Sequence, residues 1–384
     1  MNIKKIVIVM VCMCSTLLVF SQSQIGSFIS GGITRDYKLY LPLGYTPSTN
    51  YPLVLNLHGY MSNALQQELY SGMNTIADSN SFIVVYPEGI ADSSGNQAWN
   101  SGLGSSIDDV GFLSALIDTL AASYSIDTTR VFSCGMSNGG FMSHHLACHL
   151  SHKIAAIASV TGSMTLSTYA SCNPQRAVPV LQIAGASDPV IDFNGDPGAL
   201  FGYKSMETVV NFWVNHNNIS SGAIYYAYPD SSLTDSCTAE QYTYQFGDDS
   251  SEVVLVKIIN GGHTWPGSFH LGTLGPTNLD FSASELIWDF FSKFELTEVS
   301  TAIADPTSSK VRFYPNPFNQ SITIDGFKDI TGISLYNLLG KKVISQNTVE
   351  PTTTIATSNL KPGIYFLHIN TKNNQQIFRI IKQN

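Results

Sequence analysis

Short apolar runs rich in β-branched residues alternate with helix-like stretches, and this alternation limits the possible folds more than any other feature of the chain. Continuously apolar runs are typical of strands buried on both faces of a parallel sheet. The predicted strands are Tyr37–Leu41, Pro52–Leu57, Phe82–Tyr86, Arg130–Cys134, Ile154–Val160, Val178–Ile183 and Val253–Ile259. The predicted helices are Asn63–Ala77, Asp108–Tyr124, Asn138–Leu150, Tyr203–His216 and Ser284–Phe294. The pattern predicts an α/β three-layer sandwich with a mostly parallel sheet, whose ligands bind beyond the carboxyl ends of the strands.

The first 21 residues have the pattern of a secretory signal peptide. Met1–Lys5 is basic, Ile6–Phe20 is almost wholly apolar, and small polar residues follow. The apolar run is shorter than the roughly 20 residues that a spanning helix needs, so we expect cleavage after Ser21. The alternative is an uncleaved anchor. No later segment is long and apolar enough to span a bilayer, so we expect a secreted protein with no stable membrane span after processing.

The charge distribution argues against one class of partner. The net charge of the 384 residues is −9, but residues 22–300 carry 24 acidic and only 8 basic side chains. Such a surface repels a phosphate backbone, so nucleic-acid binding is not expected. Residues 301–384 carry 9 basic and 4 acidic side chains, and the change of sign near residue 300 indicates a domain boundary.

A candidate nucleophile follows the Arg130–Cys134 strand. The segment Gly135–Gly139 fits the pattern G-x-S-x-G and lies between a predicted strand and a predicted helix. Glycines on both sides of Ser137 suit the strained turn that lifts a serine hydroxyl above the sheet. The pattern alone also fits an ordinary glycine-rich turn, and its position between strand and helix favours the nucleophile.

A candidate acid and a candidate base follow two later strands. Asp188 comes soon after Val178–Ile183, although Asp192 and Asp196 are alternatives in the same loop. His263 lies in a glycine-rich loop after the last predicted strand of the body. The chain order Ser137, Asp188, His263 is that of a hydrolase triad on an α/β sheet.

The loop Leu57–Tyr60 can complete such a site. A backbone amide there, which we assign to Tyr60, pairs with the amide of Asn138 as an oxyanion hole. His58 is expected to fix the loop rather than to act as a second base. Trp99 and Trp265 lie in neighbouring loops, where they either line a substrate pocket by stacking or cover the core.

Other polar residues have simpler structural explanations. Asp108 and Asp109 open a predicted helix and suit an N-cap and an acid in the first turn. Four histidines lie on or just past the helix after Ser137 and are expected to face solvent or helix neighbours: His144, His145, His149 and His152.

Four cysteines remain once Cys12 and Cys14 leave with the signal peptide. Four cysteines allow three full pairings. Cys134 lies in an apolar strand and is expected to be a buried thiol, and Cys237 is the fourth. We favour a Cys148–Cys172 disulfide, which would close a loop of about 25 residues. No Cys/His spacing suggests a metal site.

The last part of the chain reads as a separate module. Residues 300–309 are small, polar and contain a proline, as in a linker. Residues 310–384 are predicted to form a small all-β sandwich after the α/β body of residues 22–299. Its predicted strands are Ser321–Asp325, Gly332–Tyr336, Lys342–Ser345, Thr352–Ala356, Ile364–Asn370 and Gln376–Ile381.

Two sets of motifs resemble known families. LHGY, VVYPEG, WNSG, DDVGF, GMSNGG, LAC, the ASDP loop and GGHTWPG, in this order between about residues 34 and 294, resemble secreted polyhydroxybutyrate depolymerase-like and feruloyl or acetylxylan esterase-like hydrolases, which are related to carbohydrate esterase family 1. This resemblance implies an α/β-hydrolase fold with Ser137 as nucleophile, His263 as base and Asp188 as acid. One departure is the segment Tyr60–Asn63, where family members often carry a glycine-rich run.

The segments FYPNPF, ISLYNLLGKKV and LKPGIYFLHI resemble the C-terminal sorting domain of the type IX secretion system. This second resemblance implies type IX secretion machinery as a partner, export across the outer membrane, and removal of the domain. A carbohydrate-binding module is the alternative.

The expected protein is a secreted or cell-surface serine esterase that needs no cofactor and no metal. The expected substrate is a feruloyl or acetyl ester of plant polysaccharide. The first alternative is a polyhydroxyalkanoate depolymerase, and an alternative of another class is a non-catalytic cell-surface binding protein on a hydrolase scaffold. A complete Ser/Asp/His set argues against the last, because a binding protein does not need all three.

Overall fold

The computed structural model describes residues 23–199, 202–296, 312–325, 330–337, 341–346, 352–371 and 375–383. The predicted signal peptide (residues 1–21, with Cys12 and Cys14) and the predicted linker (residues 300–309) lie outside these ranges. The chain divides after Leu296 into two compact units.

A twisted sheet of ten strands forms the centre of the first unit within the described residues. In chain order its strands are β1 (Gln24–Ser30), β2 (Ile33–Tyr40), β3 (Tyr51–Leu57), β4 (Ile83–Pro87), β7 (Ile126–Met136), β8 (Ala156–Val160), β9 (Val180–Gly185), β10 (Ile224–Ala227), β11 (Thr238–Tyr244) and β12 (Val253–Ile259), while β5 (Ile90–Ala91) and β6 (Gln97–Ala98) form a separate hairpin. Their spatial order is β1-β2-β4-β3-β7-β8-β9-β12-β11-β10. The strands from β4 to β12 in this order run parallel, and the pairs at both edges are antiparallel.

Helices cover both faces of this sheet. They are α1 (Ala64–Ser71), α2 (Met73–Asn80), α3 (Asp109–Ser123), α4 (Asn138–His149), α5 (Leu166–Ser171), α6 (Met206–His216) and α7 (Ala283–Phe291). Apolar residues of α3, α4 and α6 share one buried cluster with one face of the sheet. Those of α1, α2 and α7 share a second cluster with the opposite face. The predicted three-layer α/β-hydrolase sandwich is confirmed.

Local sequence explains where these helices begin and end. Asp108 caps α3 by accepting a hydrogen bond from the Gly111 amide at 2.7 Å, as the sequence predicts. The predicted helix Asn63–Ala77 is in fact two helices. Gly72 lies between them with φ of 60° and ψ of 19°, a left-handed conformation that ends a helix. No described helix combines the length and the apolar character that crossing a bilayer requires.

The second unit is a small β-sandwich. Its strands are β13 (Arg312–Tyr314), β14 (Ser321–Asp325), β15 (Ile330–Asn337), β16 (Lys342–Gln346), β17 (Thr352–Ala356), β18 (Gly363–Thr371) and β19 (Gln375–Lys382). They form two antiparallel sheets, β13-β14-β17 and β16-β15-β18-β19. Ile322, Leu335, Leu367 and Phe378 belong to one buried cluster that these sheets share. The predicted all-β module is therefore confirmed.

Candidate active site

Ser137 occupies a strained turn between β7 and α4. Its backbone has φ of 53° and ψ of −120°, a region that residues with a side chain rarely adopt. The Ser137 amide donates to the Val160 carbonyl at 2.8 Å, which fixes the turn against the neighbouring strand. Strain of this kind is characteristic of a nucleophile elbow.

Two glycines allow this turn to pack directly against β3. A Cβ atom on Gly139 would lie 2.2 Å from the Leu57 carbonyl oxygen, and one on Gly135 would lie 2.6 Å from the same atom. Contacts that short do not occur for real side chains, so both positions require glycine. The pattern G-x-S-x-G is thus explained by close backbone approach at this point of the fold.

Asp188 and His263 form a buried pair. Oδ2 of Asp188 lies 2.7 Å from Nδ1 of His263, and only 9% and 4% of the two residues are exposed. Oδ1 of Asp188 accepts hydrogen bonds from the amides of Val190 at 2.8 Å and Ile191 at 2.9 Å. An ionised carboxylate only accepts hydrogen bonds, so Nδ1 of His263 carries the proton and Nε2 is left as a base.

Among the described residues, neither alternative acid forms a hydrogen bond or an ion pair with a histidine. Asp192 accepts a hydrogen bond from the Asn194 amide, and Asp196 accepts hydrogen bonds from the Gly198 and Ala199 amides. Both carboxylates thus stabilise their own turns, which leaves Asp188 as the partner of His263.

The three candidate residues follow parallel strands. Ser137 follows β7, Asp188 follows β9, and His263 follows β12, so all three leave the sheet at its carboxyl edge. No hydrogen bond joins the Ser137 hydroxyl to His263 in the described part of the chain. Such catalytic contacts are commonly long without substrate and shorten when it binds.

Two free backbone amides lie beside Ser137. Among the described residues, neither the Tyr60 amide nor the Asn138 amide donates a hydrogen bond to another protein group. A Cβ atom on Gly59 would lie 3.5 Å from Cβ of Ser137, so the loop Leu57–Tyr60, called the Tyr60 loop below, runs directly past the candidate nucleophile. Both amides are therefore free to bind a ligand atom beside Ser137, as the predicted oxyanion hole requires.

His58 holds this loop as expected. Its Nε2 accepts a hydrogen bond from the Gly89 amide at 2.9 Å, so its Nδ1 carries the proton and donates to the Gly59 carbonyl at 2.7 Å. Burial lowers the pKa of His58 to about 4. The ring is therefore neutral at physiological pH and acts as a structural link.

A cleft of about 880 Å³ opens beside Ser137. Its wall is mostly apolar, with a few hydroxyl and amide groups. The apolar part of the lining includes Ile90, Ala98, Trp99, Leu103, Ile107, Phe141, Val190, Ile191 and Tyr203. Polar groups come from Asn100, Ser101, Ser105 and Thr165.

The two candidate pocket tryptophans have different positions. Trp99 lines the cleft, although it is fully buried and its indole N–H donates to the His58 carbonyl at 2.9 Å. Trp265 packs in the core against α7, where its indole N–H donates to the Ser284 hydroxyl at 3.1 Å. It does not line the cleft, so for Trp265 the pocket interpretation is wrong and the core alternative is correct.

Asp109 forms a buried ion pair, in addition to the role in the first helical turn that the sequence predicts. Its carboxylate pairs with Arg35 at 2.7 Å, with both side chains almost fully buried, and accepts a hydrogen bond from the Asn100 amide at 2.7 Å. Burial raises the pKa of Asp109, while the Asn100 amide and the Arg35 guanidinium oppose this effect. The pair holds the loop that follows Trp99, at the cleft wall. The second acid in DDVGF is the one local signal of this role, since a helix cap needs only Asp108.

The histidines after Ser137 are only partly at the surface. His144, in α4, is fully buried rather than facing solvent, and it contacts a neighbouring helix through Trp213. Its Nδ1 accepts a hydrogen bond from the Trp213 indole at 3.1 Å, and its Nε2 lies 2.9 Å from Oε1 of Gln182. His149 is exposed, as expected. Cys148, which precedes His149 at the end of α4, forms a disulfide with Cys172, 24 residues later.

Among the described residues, no three His, Cys, Asp or Glu side chains lie close enough together to hold a metal ion.

Comparisons with known proteins match both units. Residues 35–224 match the family described as Esterase PHB depolymerase, and residues 312–383 match the Secretion system C-terminal sorting domain. A bifunctional acetylxylan esterase/xylanase, XynS20E of Neocallimastix patriciarum, is 33% identical over 45% of this chain and 24% of its own length. Feruloyl esterase D of Neurospora crassa is 29% identical over 68% of this chain and 83% of its own length.

Among solved structures, an acetyl xylan esterase from Aspergillus awamori aligns with 70% of this chain and 99% of its own, at 14% identity and a TM-score of 0.48. The chain spans about a quarter of the length of XynS20E.

Proposed function

We propose that the protein is a secreted serine esterase, because residues 35–224 match the family described as Esterase PHB depolymerase and residues 312–383 match a secretion sorting domain. The proposal assigns Ser137 as nucleophile, His263 as general base and Asp188 as the acid that orients it. The observation that carries it is the 2.7 Å contact between Asp188 and His263, at the same sheet edge as the strained Ser137.

The proposed reaction proceeds in two halves. Nε2 of His263 removes the Ser137 proton while Oγ attacks the ester carbonyl carbon. The amides of Tyr60 and Asn138 stabilise the resulting oxyanion. Collapse of this intermediate breaks the bond to the alcohol, which leaves with the proton from His263. Water then repeats the sequence on the acyl-enzyme and releases the carboxylic acid.

The cleft supports a bulky ester as substrate. An acetyl group would occupy a small part of about 880 Å³, whereas an aromatic acyl group with its sugar would use far more of it. Phe141 and Tyr203, whose rings meet edge-to-face at 5.9 Å, offer aromatic surface in the wall. We therefore assign feruloyl esters of plant polysaccharide as the leading substrate class and acetyl esters as the next. Relatives named feruloyl esterase and acetylxylan esterase support this class.

A polyhydroxyalkanoate is the second candidate substrate, and one surface feature favours it. Leu65 and Leu69, four residues apart on α1, are 50% and 66% exposed, and Met61 just before the helix is 67% exposed. Met61 directly follows Tyr60 in the cleft wall. Exposed apolar side chains in a row suit adsorption to a water-insoluble polyester.

The second unit is assigned to transport. Its match to a secretion sorting domain marks the chain for export to the cell surface or the medium. The proposed partner is the type IX secretion machinery, which would recognise this unit and remove it.

The decisive variant is Ser137→Ala. Hydrolysis of short nitrophenyl esters should fall on the order of a million-fold, because the nucleophile is absent. Wild-type protein should be labelled by a fluorophosphonate, and Ser137→Ala should not. Retained hydrolysis would refute the nucleophile, and an unlabelled, inactive wild type would favour the non-catalytic binding protein.

The substrate class needs a separate measurement. Initial rates on methyl ferulate, acetylated xylan and polyhydroxybutyrate granules, with Ser137→Ala as the blank, should be ranked in that order. Granules degraded fastest would instead support the polyester.

A further inference from the structure

A small hairpin connects the two residues whose amides are assigned to the oxyanion hole. It comprises residues 90–99, with β5 and β6 as its strands, and is called the clamp hairpin below. Asp92 shapes its turn: Oδ1 accepts hydrogen bonds from the Ser94 amide at 2.8 Å and the Asn96 amide at 3.0 Å. The Gly95 amide also donates to the Asp92 carbonyl at 3.0 Å. This local network makes the hairpin a defined structure rather than a loose loop.

One side of the clamp hairpin holds the Tyr60 loop. The Tyr60 hydroxyl donates to Oδ2 of Asp92 at 2.8 Å and accepts a hydrogen bond from the Asn96 side chain at 3.0 Å. The Met61 amide donates to the Gln97 carbonyl at 3.0 Å. Backbone and side chain thus both fasten the loop that carries the first oxyanion donor.

The end of the clamp hairpin holds Asn138. The Trp99 amide donates to Oδ1 of Asn138 at 2.6 Å, and the Asn138 side-chain amide donates to the Trp99 carbonyl at 3.1 Å. Trp99 also donates from its indole to the His58 carbonyl at 2.9 Å. A single ten-residue segment therefore contacts both donor residues through their side chains, leaving their backbone amides free.

We propose that Tyr60 is a positioning residue for ester hydrolysis: its phenolic hydroxyl, bound to the clamp hairpin, sets the position of its own backbone amide relative to that of Asn138. This inference rests on the proposed function and deepens it. Oxyanion donors act only when they are aligned with the place where charge develops in the transition state. Tyr60 is 46% exposed, so its hydrogen bonds, more than packing, fix its side chain.

The test is Tyr60→Phe, which removes the hydroxyl and keeps the ring. The kcat for nitrophenyl acetate should fall roughly threefold to tenfold, as expected for loss of one hydrogen bond that aligns the donor, while KM stays within about twofold. The same factor should apply to methyl ferulate, because the oxyanion is common to both. The preference for an ester over its thionoester, whose sulfur accepts hydrogen bonds poorly, should shrink by a similar factor.

Asp92 supplies a rescue pair. Asp92→Asn keeps its oxygen on the Ser94 and Asn96 amides and turns its NH₂ group toward the Tyr60 hydroxyl, which can accept this hydrogen bond, so most of the activity should be retained. Asp92→Ala should lose as much kcat as Tyr60→Phe or more. The double variant Tyr60→Phe/Asp92→Ala should be no slower than Asp92→Ala, since both changes remove the same Tyr60–Asp92 hydrogen bond.

Tyr242→Phe is the matched control. It removes a tyrosine–carboxylate hydrogen bond of the same 2.8 Å length, to Glu240 within β11, away from the cleft. Its kcat should match that of the wild type, and melting temperatures should confirm that all variants fold. A wild-type kcat in Tyr60→Phe, or a defect confined to KM for the bulky ester, would overturn this inference alone. An inactive wild type would overturn the proposed function with it.

Discussion

At the residue scale, Asp188 sets the chemistry of His263 through two backbone amides. The amides of Val190 and Ile191 bind Oδ1, so Oδ2 faces the imidazole. The same amides would hold the oxygen of an asparagine in place and turn its NH₂ group toward Nδ1 of His263. An NH₂ group there stabilises the wrong tautomer, with the proton on Nε2.

Asp188→Asn should therefore lower kcat by about 10⁴-fold and leave folding intact. Nitrophenyl ester hydrolysis with a parallel thermal melt measures both. Asp192→Asn changes a turn acid in the same loop and should retain wild-type kcat. Comparable losses in the two variants would contradict the assignment of Asp188.

His144 leads to a second prediction, which concerns how the free energy of unfolding depends on pH. Burial lowers its pKa to about 4 in the folded protein, against an ordinary value of about 6.5 in the unfolded chain. Between these values the unfolded state binds a proton that the folded state does not. Stability from this group is therefore complete above pH 6.5 and falls as the pH drops toward 4, by about 3 kcal/mol in total.

His144→Gln should remove this share of the pH dependence. Denaturant titrations at pH 7 and pH 5 should show a smaller loss of unfolding free energy in the variant, by about 2 kcal/mol. His58 and His145, whose pKa values burial also lowers to about 4, act in the same direction and keep the remaining slope positive. An unchanged slope in His144→Gln would show that His144 is not buried in its neutral form.

At the element scale, burial decides which strands the sequence reveals. All seven predicted strands of the body form, and the runs of all but β2 are almost wholly buried, whereas Lys38 in β2 is half-buried. The pattern missed β1 and β11, whose sequences QIGSFIS and TAEQYTY contain no continuous apolar run, and β10, whose short run Ile224–Ala227 is exposed at the sheet edge. Edge strands are specified by their neighbours, which a local pattern does not contain.

In the candidate site, too, some features can be predicted from the sequence and others cannot. Ser137, Asp188 and His263 could be proposed from sequence because each follows a buried strand within a few residues, and parallel strands bring their carboxyl ends together. The Arg35–Asp109 pair joins residues 74 apart, and the Tyr60–Asp92 contact joins residues 32 apart. The local sequence around either partner gives no indication of such contacts. These supporting contacts are therefore visible only in the folded structure.

The contact between β3 and α4 gives an element-scale prediction. A Cβ atom on Gly139 would lie 2.2 Å from the Leu57 oxygen and 2.7 Å from the His58 oxygen, and neither backbone atom can move without shifting the Tyr60 loop. Gly139→Ala should cost about 1–3 kcal/mol of unfolding free energy and most of the esterase activity. Gly222→Ala, whose Cβ would meet nothing within 4 Å, should leave both unchanged. Wild-type activity in Gly139→Ala would show that α4 can move away from β3 without harm.

At the scale of the whole molecule, the two units have independent cores. The three-layer body buries two apolar clusters around its sheet, and the sandwich buries its own, with Ile324, Leu335 and Ile380 among its members. Ser137, Asp188, His263 and the described lining of the cleft all belong to the body. Units with separate cores commonly fold separately.

The final prediction separates catalysis from export. Protein consisting of residues 22–296 should fold and hydrolyse esters with nearly the kcat and KM of the full chain, since every assigned catalytic group is present.

In the native host the same truncation should hold the enzyme in the periplasm, because the sorting domain is missing. Intact mass of the mature extracellular enzyme should show the loss of roughly the second unit, Thr297–Asn384, in line with a cut near the boundary after Leu296. Full-length protein with Ser137→Ala controls for export without activity and should still reach the medium. If truncation instead left export intact and weakened binding to insoluble substrate, the second unit would be a binding module rather than a transport signal.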